Sequence, residues 1–354
     1  MGKVSLVLRT IAALILSLGL ATVAQAQTCG ISGSASAAPA LYDPFNPTGL
    51  PTTTVVLNLT RVNTSGGGDT RIVNFYLKSN NAGADGTTIV PIAVAGSVQS
   101  AGLNQNIFYN FNATPPVVSP STLLPTATQR FLKINFTGNN AGSDTAQVTF
   151  QVTLPSNLDI NATSNLAFDA YFGCNIQGGK DNGLQQQGSF NNAVVFPITV
   201  LSALQASYAG SALDFGEVGD KTTVDVLAAP GAYTTPATNH VRVRSSGPYT
   251  VDLTSQNGYK MTFPGGNLAT PTHVLNYDLK FLGRTRNAAN TAFATITCQR
   301  AGVPASEADM LPVVATLKEG GQGKLVSPTY QDVLTVTVTP LLSGAPSQQN
   351  CPAL

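Results

Sequence analysis

The chain has 354 residues, enough for two domains with proper cores, and its 18 Lys and Arg nearly balance its 17 Asp and Glu. Only 10% of the residues are charged and no basic stripe is visible, which excludes a nucleic acid as the partner. The 33 Gly and 22 Pro favour many short strands joined by turns.

Residues 1–26 are predicted to be a cleaved secretory signal peptide. Lys3 and Arg9 precede the apolar run 11–20, and Ala24-Gln25-Ala26 fits a small-x-small cleavage site. The alternative is an uncleaved membrane anchor, for which the apolar run is short. We therefore expect an exported protein, and the rest of the chain holds no other apolar run long enough to span a membrane.

The mature chain contains four cysteines, Cys29, Cys174, Cys298 and Cys351. An even number in an exported protein predicts disulfides, and four cysteines allow three pairings. We favour Cys29–Cys174 with Cys298–Cys351, because each pair then brackets one predicted domain. A metal site is the weaker alternative, since no two cysteines are close in sequence and there are only 2 histidines. We expect neither a metal nor a cofactor.

Residues 27–202 are predicted to form an all-β domain. Its clearest strand is Ala146–Leu154, in which apolar residues alternate with Gln and Thr. Segments rich in Gly, Asn and Pro separate the strands, which is typical of a sandwich or barrel. The other predicted strands are Val55–Val62, Ile72–Lys78, Ile89–Ala95, Ile107–Phe111, Phe131–Phe136, Leu166–Phe172 and Ala193–Val200.

One loop of this domain, residues 114–126, combines apolar side chains with four prolines. Val117, Val118, Leu123 and Leu124 are its apolar members. Proline stiffens a loop and prevents regular strand pairing, so these side chains are candidates for a surface that attaches to something. The alternative is that they fold back onto the core.

Residues 203–354 are predicted to form a second all-β domain, with the boundary near residue 202. Its last strand, Tyr330–Thr339, is the most regular, with Leu334, Val336 and Val338 on one face and threonines on the other. The turns Gly247-Pro248 and Asn257-Gly258 separate neighbouring strands. The remaining predicted strands are Thr222–Leu227, His240–Ser245, Tyr249–Thr254, Lys260–Phe263, Val274–Phe281, Phe293–Cys298 and Leu311–Leu317.

The sequence contains none of the common catalytic motifs. It has no G-x-S-x-G, H-E-x-x-H, P-loop, C-x-x-C or G-x-G-x-x-G pattern. His240 and His273 are the two histidines, and the carboxylates of the second domain are scattered, without a pair spaced for glycoside chemistry. We therefore predict that the protein is not an enzyme.

Four segments of the second domain resemble the spore coat protein U domain family. The resemblance covers most of residues 204–340, and ALYDPFNPTG (40–49) resembles the start of that domain in the first half of the chain. The four are LDFGEVGD (213–220), SSGPYTVDLTSQNG (245–258), LNYDLKFLG (275–283) and YQDVLTVTVTP (330–340). Members of the family are largely subunits of archaic chaperone–usher pili.

The resemblance implies two tandem immunoglobulin-like β-sandwich domains, of which the C-terminal one lacks its final strand. The next pilin subunit supplies a donor strand, after a periplasmic chaperone has held the site and an outer-membrane usher has passed the subunit on. This is β-augmentation, in which main-chain hydrogen bonds and alternating side chains complete a sheet. Leu334, Val336 and Val338 are expected to line the acceptor groove, and the tail 341–354 is a second candidate to occupy it.

The two-domain plan resembles the tip adhesin of such pili, exposed on the surface of a Gram-negative bacterium. Gln27 and Thr28 alone precede Cys29 in the expected mature chain, which leaves no donor strand if Cys29 is tied to Cys174. We therefore expect a tip subunit whose first domain mediates attachment and biofilm formation through the 114–126 loop, with Ile107 and Phe108 behind it. The alternatives are a structural stalk or adaptor pilin, another secreted spore-coat-U-like surface protein, and a secreted glycan-binding or hydrolytic β-protein.

Overall fold

The structure is a computed structural model that describes residues 29–353, except 38, 51, 63–68, 81–83, 116–128, 139–142, 161–162, 177–185 and 343–347. The described residues are mostly in β-strands, with a single α-helix among them. The predicted signal peptide and the candidate residues Val117, Val118, Leu123 and Leu124 lie outside the described residues.

The strands of the N-terminal domain form one continuous sheet that folds over into a sandwich. Its order is β5-β9-β3-β1-β11-β10-β4-β8-β6, with β2 beside β11 and β7 beside β4. The strands are β1 (Ile31–Ser36), β2 (Ala40–Tyr42), β3 (Thr53–Arg61), β4 (Thr70–Ser79), β5 (Thr88–Gly96), β6 (Val98–Ala101), β7 (Phe108–Tyr109), β8 (Leu132–Phe136), β9 (Thr145–Thr153), β10 (Thr163–Ile176) and β11 (Gln186–Val200).

The first strand, β1, joins the two layers of this sandwich. Its residues 31–34 pair antiparallel with β3, and its residues 35–36 pair parallel with β11. Strand β1 therefore changes partner along its length, from β3 in its first part to β11 in its second. The core between the layers follows the period-two pattern: in β9, residues Ala146, Val148, Phe150 and Val152 are buried, as the alternation predicted.

The C-terminal domain has two separate sheets, ordered β12-β13-β19-β16-β15, with β17 beside β16, and β18-β14-β20. No strand pairing among the described residues joins this domain to the N-terminal one. Its elements are β12 (Leu204–Ala209), α1 (Thr223–Ala228), β13 (His240–Ser245), β14 (Tyr249–Ser255), β15 (Lys260–Thr262), β16 (Val274–Phe281), β17 (Arg284–Arg286), β18 (Ile296–Cys298), β19 (Asp309–Leu317) and β20 (Leu334–Pro340), with 3₁₀ turns at Pro230–Tyr233, Pro271–His273, Ala305–Glu307 and Cys351–Ala353.

The predicted strand Thr222–Leu227 is wrong, because this segment forms helix α1. The helix begins with a reciprocal capping box. The Thr222 hydroxyl accepts a hydrogen bond from the Asp225 N–H at 3.1 Å, and the Asp225 carboxylate accepts one from the Thr222 N–H at 2.9 Å. A threonine three residues before an acidic residue was therefore the better signal than the Val and Leu that favour a strand.

Other predicted strands are shorter than expected. Residues 107–111 contribute only the two-residue strand β7, and the last strand begins at Leu334 instead of Tyr330. Gln331 instead exchanges backbone hydrogen bonds with Thr262, at 2.9 and 3.0 Å. The sequence patterns did not predict the small-residue strand β1 or the strand β12.

Both expected disulfides are present. Cys29 and Cys174 are bonded with their Cα atoms 6.0 Å apart, and Cys298 and Cys351 with theirs 5.4 Å apart. The first bond ties the start of β1 to β10, and the second ties β18 to the C-terminal tail. Among the described residues, no helix is long and apolar enough to cross a membrane.

Candidate functional site

A groove of about 870 Å³ runs along the C-terminal domain between β12 and β20. These are the outermost strands of the two sheets, and each pairs with one other strand within the described part of the chain: β12 with β13, and β20 with β14. Each strand therefore turns an edge toward the groove. A free strand edge offers a row of backbone donors and acceptors to another chain.

Strand β20 forms one wall, and its side chains alternate as the sequence predicted. Leu334, Val336 and Val338 line the groove and are half-buried, whereas the threonines between them are exposed. On the neighbouring strand β14, Val251 and Leu253 sit opposite Val338 and Val336 and are fully buried. The apolar face is thus covered on β14 and left partly open on β20.

Strand β12 forms the other wall, and the sequence patterns did not predict this strand. Leu204, Ala206 and Tyr208 alternate along it and line the groove. Ala206 is exposed and Tyr208 is 48% exposed, although both project on the face that borders the apolar groove. The sequence LQASYA does alternate, but its small residues gave a weak signal for a strand.

The floor of the groove is apolar and ends in a polar cluster. Val313 and Ala315 contribute to the floor. At the end near the start of β20, the Tyr277 hydroxyl donates to the Asp332 carboxylate at 2.6 Å, and the Ser255 hydroxyl does so as well. Burial, together with this neighbouring carboxylate, raises the pKa of Tyr277 well above its ordinary value, so the phenol stays protonated as a donor.

The described part of the tail lies away from the groove. Gln349 donates from its N–H to the carbonyl of Thr297 at 2.8 Å and accepts from the N–H of Gln299 at 2.9 Å. These contacts place the tail beside β18, which is the opposite edge of the sheet from β20. None of the residues 348–353 lines the groove.

The other predicted site residues have different positions. Ile107 and Phe108, expected behind the attachment loop, are fully buried in the N-terminal core and present no surface. A separate aromatic cluster includes Phe131, which follows the loop in sequence and packs with Tyr76. Tyr76 in turn stacks on Tyr171, with ring centroids 5.5 Å apart. Burial and the neighbouring tyrosines raise the pKa of Tyr76 to about 12.

The histidines make local hydrogen bonds. His240 Nδ1 lies 2.6 Å from the Thr238 carbonyl, and His273 Nδ1 accepts from the Asn267 N–H at 3.1 Å. No group of three or more His, Cys, Asp or Glu side chains in the described ranges is placed to hold a metal ion.

The sequence matches no protein-family model and no curated protein. The chain is similar to three solved adhesin structures, among others. One is the chaperone–tip adhesion subunit pre-assembly complex of the archaic chaperone-usher Csu pili of Acinetobacter baumannii, with 14% identity, a TM-score of 0.34, and coverage of 88% of this chain and 100% of that one.

The second is the CfaE adhesin of CFA/I from enterotoxigenic Escherichia coli, with 10% identity, a TM-score of 0.35, and 88% and 92% of the two chains covered. The third is the CupB6 tip adhesin of Pseudomonas aeruginosa, with 10% identity, a TM-score of 0.26, and 88% and 94% covered. At identities and TM-scores this low, the likeness does not bear on the function of this chain.

Proposed function

We propose that the protein is the tip adhesin subunit of an archaic chaperone–usher pilus. In this proposal it is not an enzyme. Its C-terminal domain accepts a donor strand from the next subunit, and a periplasmic chaperone and an outer-membrane usher bring it to the surface of a Gram-negative bacterium. Its N-terminal domain attaches to a surface and supports biofilm formation.

The observation that carries the proposal is the groove between β12 and β20. Two strand edges face it, and apolar side chains alternate along both walls. A strand with alternating apolar residues fits such a site. Its backbone can hydrogen-bond to the N–H and C=O groups of the two strand edges, and its side chains can cover Leu334, Val336 and Val338. Completing the burial of a half-buried Val or Leu contributes about 1 kcal/mol.

The position at the tip is supported by the place of β1 in the N-terminal domain. A subunit that donates a strand needs an extension free of its own fold. Here the strand that begins at Ile31 pairs first with β3 and then with β11 inside its own domain, and Cys29 just before it is bonded to Cys174. Residues 29–36 are therefore committed to the N-terminal core.

The test is site-specific photo-crosslinking in the cells that make the protein. Tyr208, which is half-exposed and lines the groove, is replaced by the larger aromatic photo-crosslinker p-benzoylphenylalanine. We expect an adduct with a smaller subunit, and mass spectrometry should map it to an N-terminal segment with alternating apolar residues. The matched control is Phe111, an aromatic residue of the N-terminal domain that is 42% exposed.

Equal adducts at both positions, or none at Tyr208, would contradict the proposal. Immunogold labelling then separates the tip subunit from a stalk or adaptor pilin: gold at fibre ends supports the tip, and gold along the fibre supports the stalk. If no pili form and no such adduct appears, a secreted glycan-binding or hydrolytic protein becomes the better assignment.

A further inference from the structure

The linker between the two domains, residues 201–203, is held by the C-terminal domain. The Ser246 hydroxyl donates a hydrogen bond to the Leu201 carbonyl at 2.6 Å, and Ser246 itself is buried. The Ser202 hydroxyl donates to the carbonyl of Leu341. Two side chains thus fix the path along which the chain passes from one domain to the other.

These anchor points are also the ends of the two groove walls. The first wall, β12, begins at Leu204 directly after the linker, and Leu341 directly follows the second wall, β20. The packing between them is tight: a Cβ atom at Gly247 would lie 2.6 Å from the Ser202 hydroxyl oxygen, so a larger residue there would displace the hydroxyl that bonds to Leu341. A displacement of either wall would therefore shift the linker.

Arg244 on β13 connects a groove wall to the N-terminal domain directly. One guanidinium nitrogen donates to the Gln205 side chain of β12 at 3.2 Å, and another donates to the Asn157 side chain of the N-terminal domain at 2.7 Å. The same guanidinium lies 5.1 Å from the centre of the Phe45 ring, a cation–π contact across the domain boundary.

A second arginine reinforces this junction. Arg300 forms an ion pair with Asp159 of the N-terminal domain, and its Nε donates to the backbone carbonyl of Ser246 at 3.0 Å. Ser246 is the residue that holds the linker. Arg244 thus contacts a groove wall, and Arg300 contacts the residue that holds the linker.

We infer that filling the groove and docking the N-terminal domain are coupled, so that the strand that completes the C-terminal domain also fixes the orientation of the N-terminal one. This rests on the proposed function, in which the groove accepts a strand. A strand bonded to the edges of β12 and β20 restrains the wall ends that hold the linker. By linkage, the factor by which a bound strand strengthens docking is also the factor by which docking strengthens strand binding, so loss of docking lowers the affinity for the strand.

The test uses the full-length chain with spin labels at Gln151→Cys and Lys280→Cys, two exposed positions in different domains. The probe is a synthetic peptide of alternating Val and Thr with a lysine at each end. Pulsed electron–electron double resonance measures the distribution of distances between the two labels, and this distribution should narrow when the peptide binds. With Arg244→Gln, the distribution should stay broad, and the peptide Kd, measured by fluorescence anisotropy, should rise about fivefold.

The matched control is Arg242→Gln, two residues earlier on the same strand, since Arg242 bonds to the Ala305 carbonyl at 2.8 Å inside the C-terminal domain. It should behave like the unmodified chain. Peptide binding without narrowing, or equal Kd values for the two arginine variants, overturns the coupling and leaves the proposed function standing. Failure of the peptide to bind overturns the proposed function and the coupling with it.

Discussion

A single residue, Arg61, connects several strand ends of the N-terminal domain. Arg61, at the end of β3, is almost completely buried. Its Nε donates to Asp144 at 2.8 Å, its Nη2 donates to the Ser143 hydroxyl at 3.0 Å, and Asp69 lies within 3.7 Å. One guanidinium thus joins the end of β3 to the starts of β4 and β9.

Replacing Arg61 with Met should destabilise the N-terminal domain. The change removes one partner from a buried charge cluster and leaves the two carboxylates without their cation, a loss of about 3 kcal/mol. Urea unfolding followed by circular dichroism measures the effect. Arg130→Met is the control: Arg130 is exposed, and its bond to Tyr109 is made by the backbone N–H, which the substitution keeps, so a change within about 0.5 kcal/mol is expected. Equal effects would contradict the role of Arg61.

Among the strands, β20 has two faces with different surroundings. The face with Leu334, Val336 and Val338 borders the groove, and the threonine face meets solvent. The alternation in the sequence predicted these faces correctly. It did not predict β12 on the opposite side, because which strands face each other depends on pairing between distant segments.

Val336→Asp should strongly weaken strand binding, because a bound strand would bury an unpaired carboxylate. We expect the Kd of the Val–Thr peptide to rise at least about a hundredfold in the full-length chain. Thr335→Asp adds the same charge one residue earlier on the exposed face and should leave the Kd nearly unchanged. Thermal unfolding of both variants checks that they are folded. A folded Val336→Asp variant that binds normally would show that the groove is not the binding site.

At the scale of the whole molecule, the protein is asymmetric. The groove lies in the C-terminal domain beside the linker, and β1, which a donating subunit would have to release, pairs with β3 and β11 of its own domain. Under the proposed function, a subunit of this design ends a fibre and attaches through its N-terminal domain. The apolar loop 114–126 is the sequence candidate for that attachment.

Replacing Val117, Val118, Leu123 and Leu124 with Ser should reduce attachment of cells to plastic while pili remain visible by electron microscopy. The physical reason is the loss of apolar surface that can be buried against a hydrophobic support. The matched control replaces two exposed apolar residues of the C-terminal domain, Leu325 (50% exposed) and Val326 (98% exposed), with Ser. Unchanged attachment, or an equal loss in the control, would remove the loop as the attachment site.

The sequence by itself determined the all-β class, most strands, the preferred disulfide pairing and the inward face of β20. Period-two alternation and cysteine position are local or countable signals, so they can be read without knowing the neighbours. The tertiary structure decided that β12 is the second wall, that β1 pairs with both β3 and β11, and that Arg244 and Arg300 join the domains. These features depend on which distant segments meet, and a strand's own residues do not specify whether its second edge finds a partner.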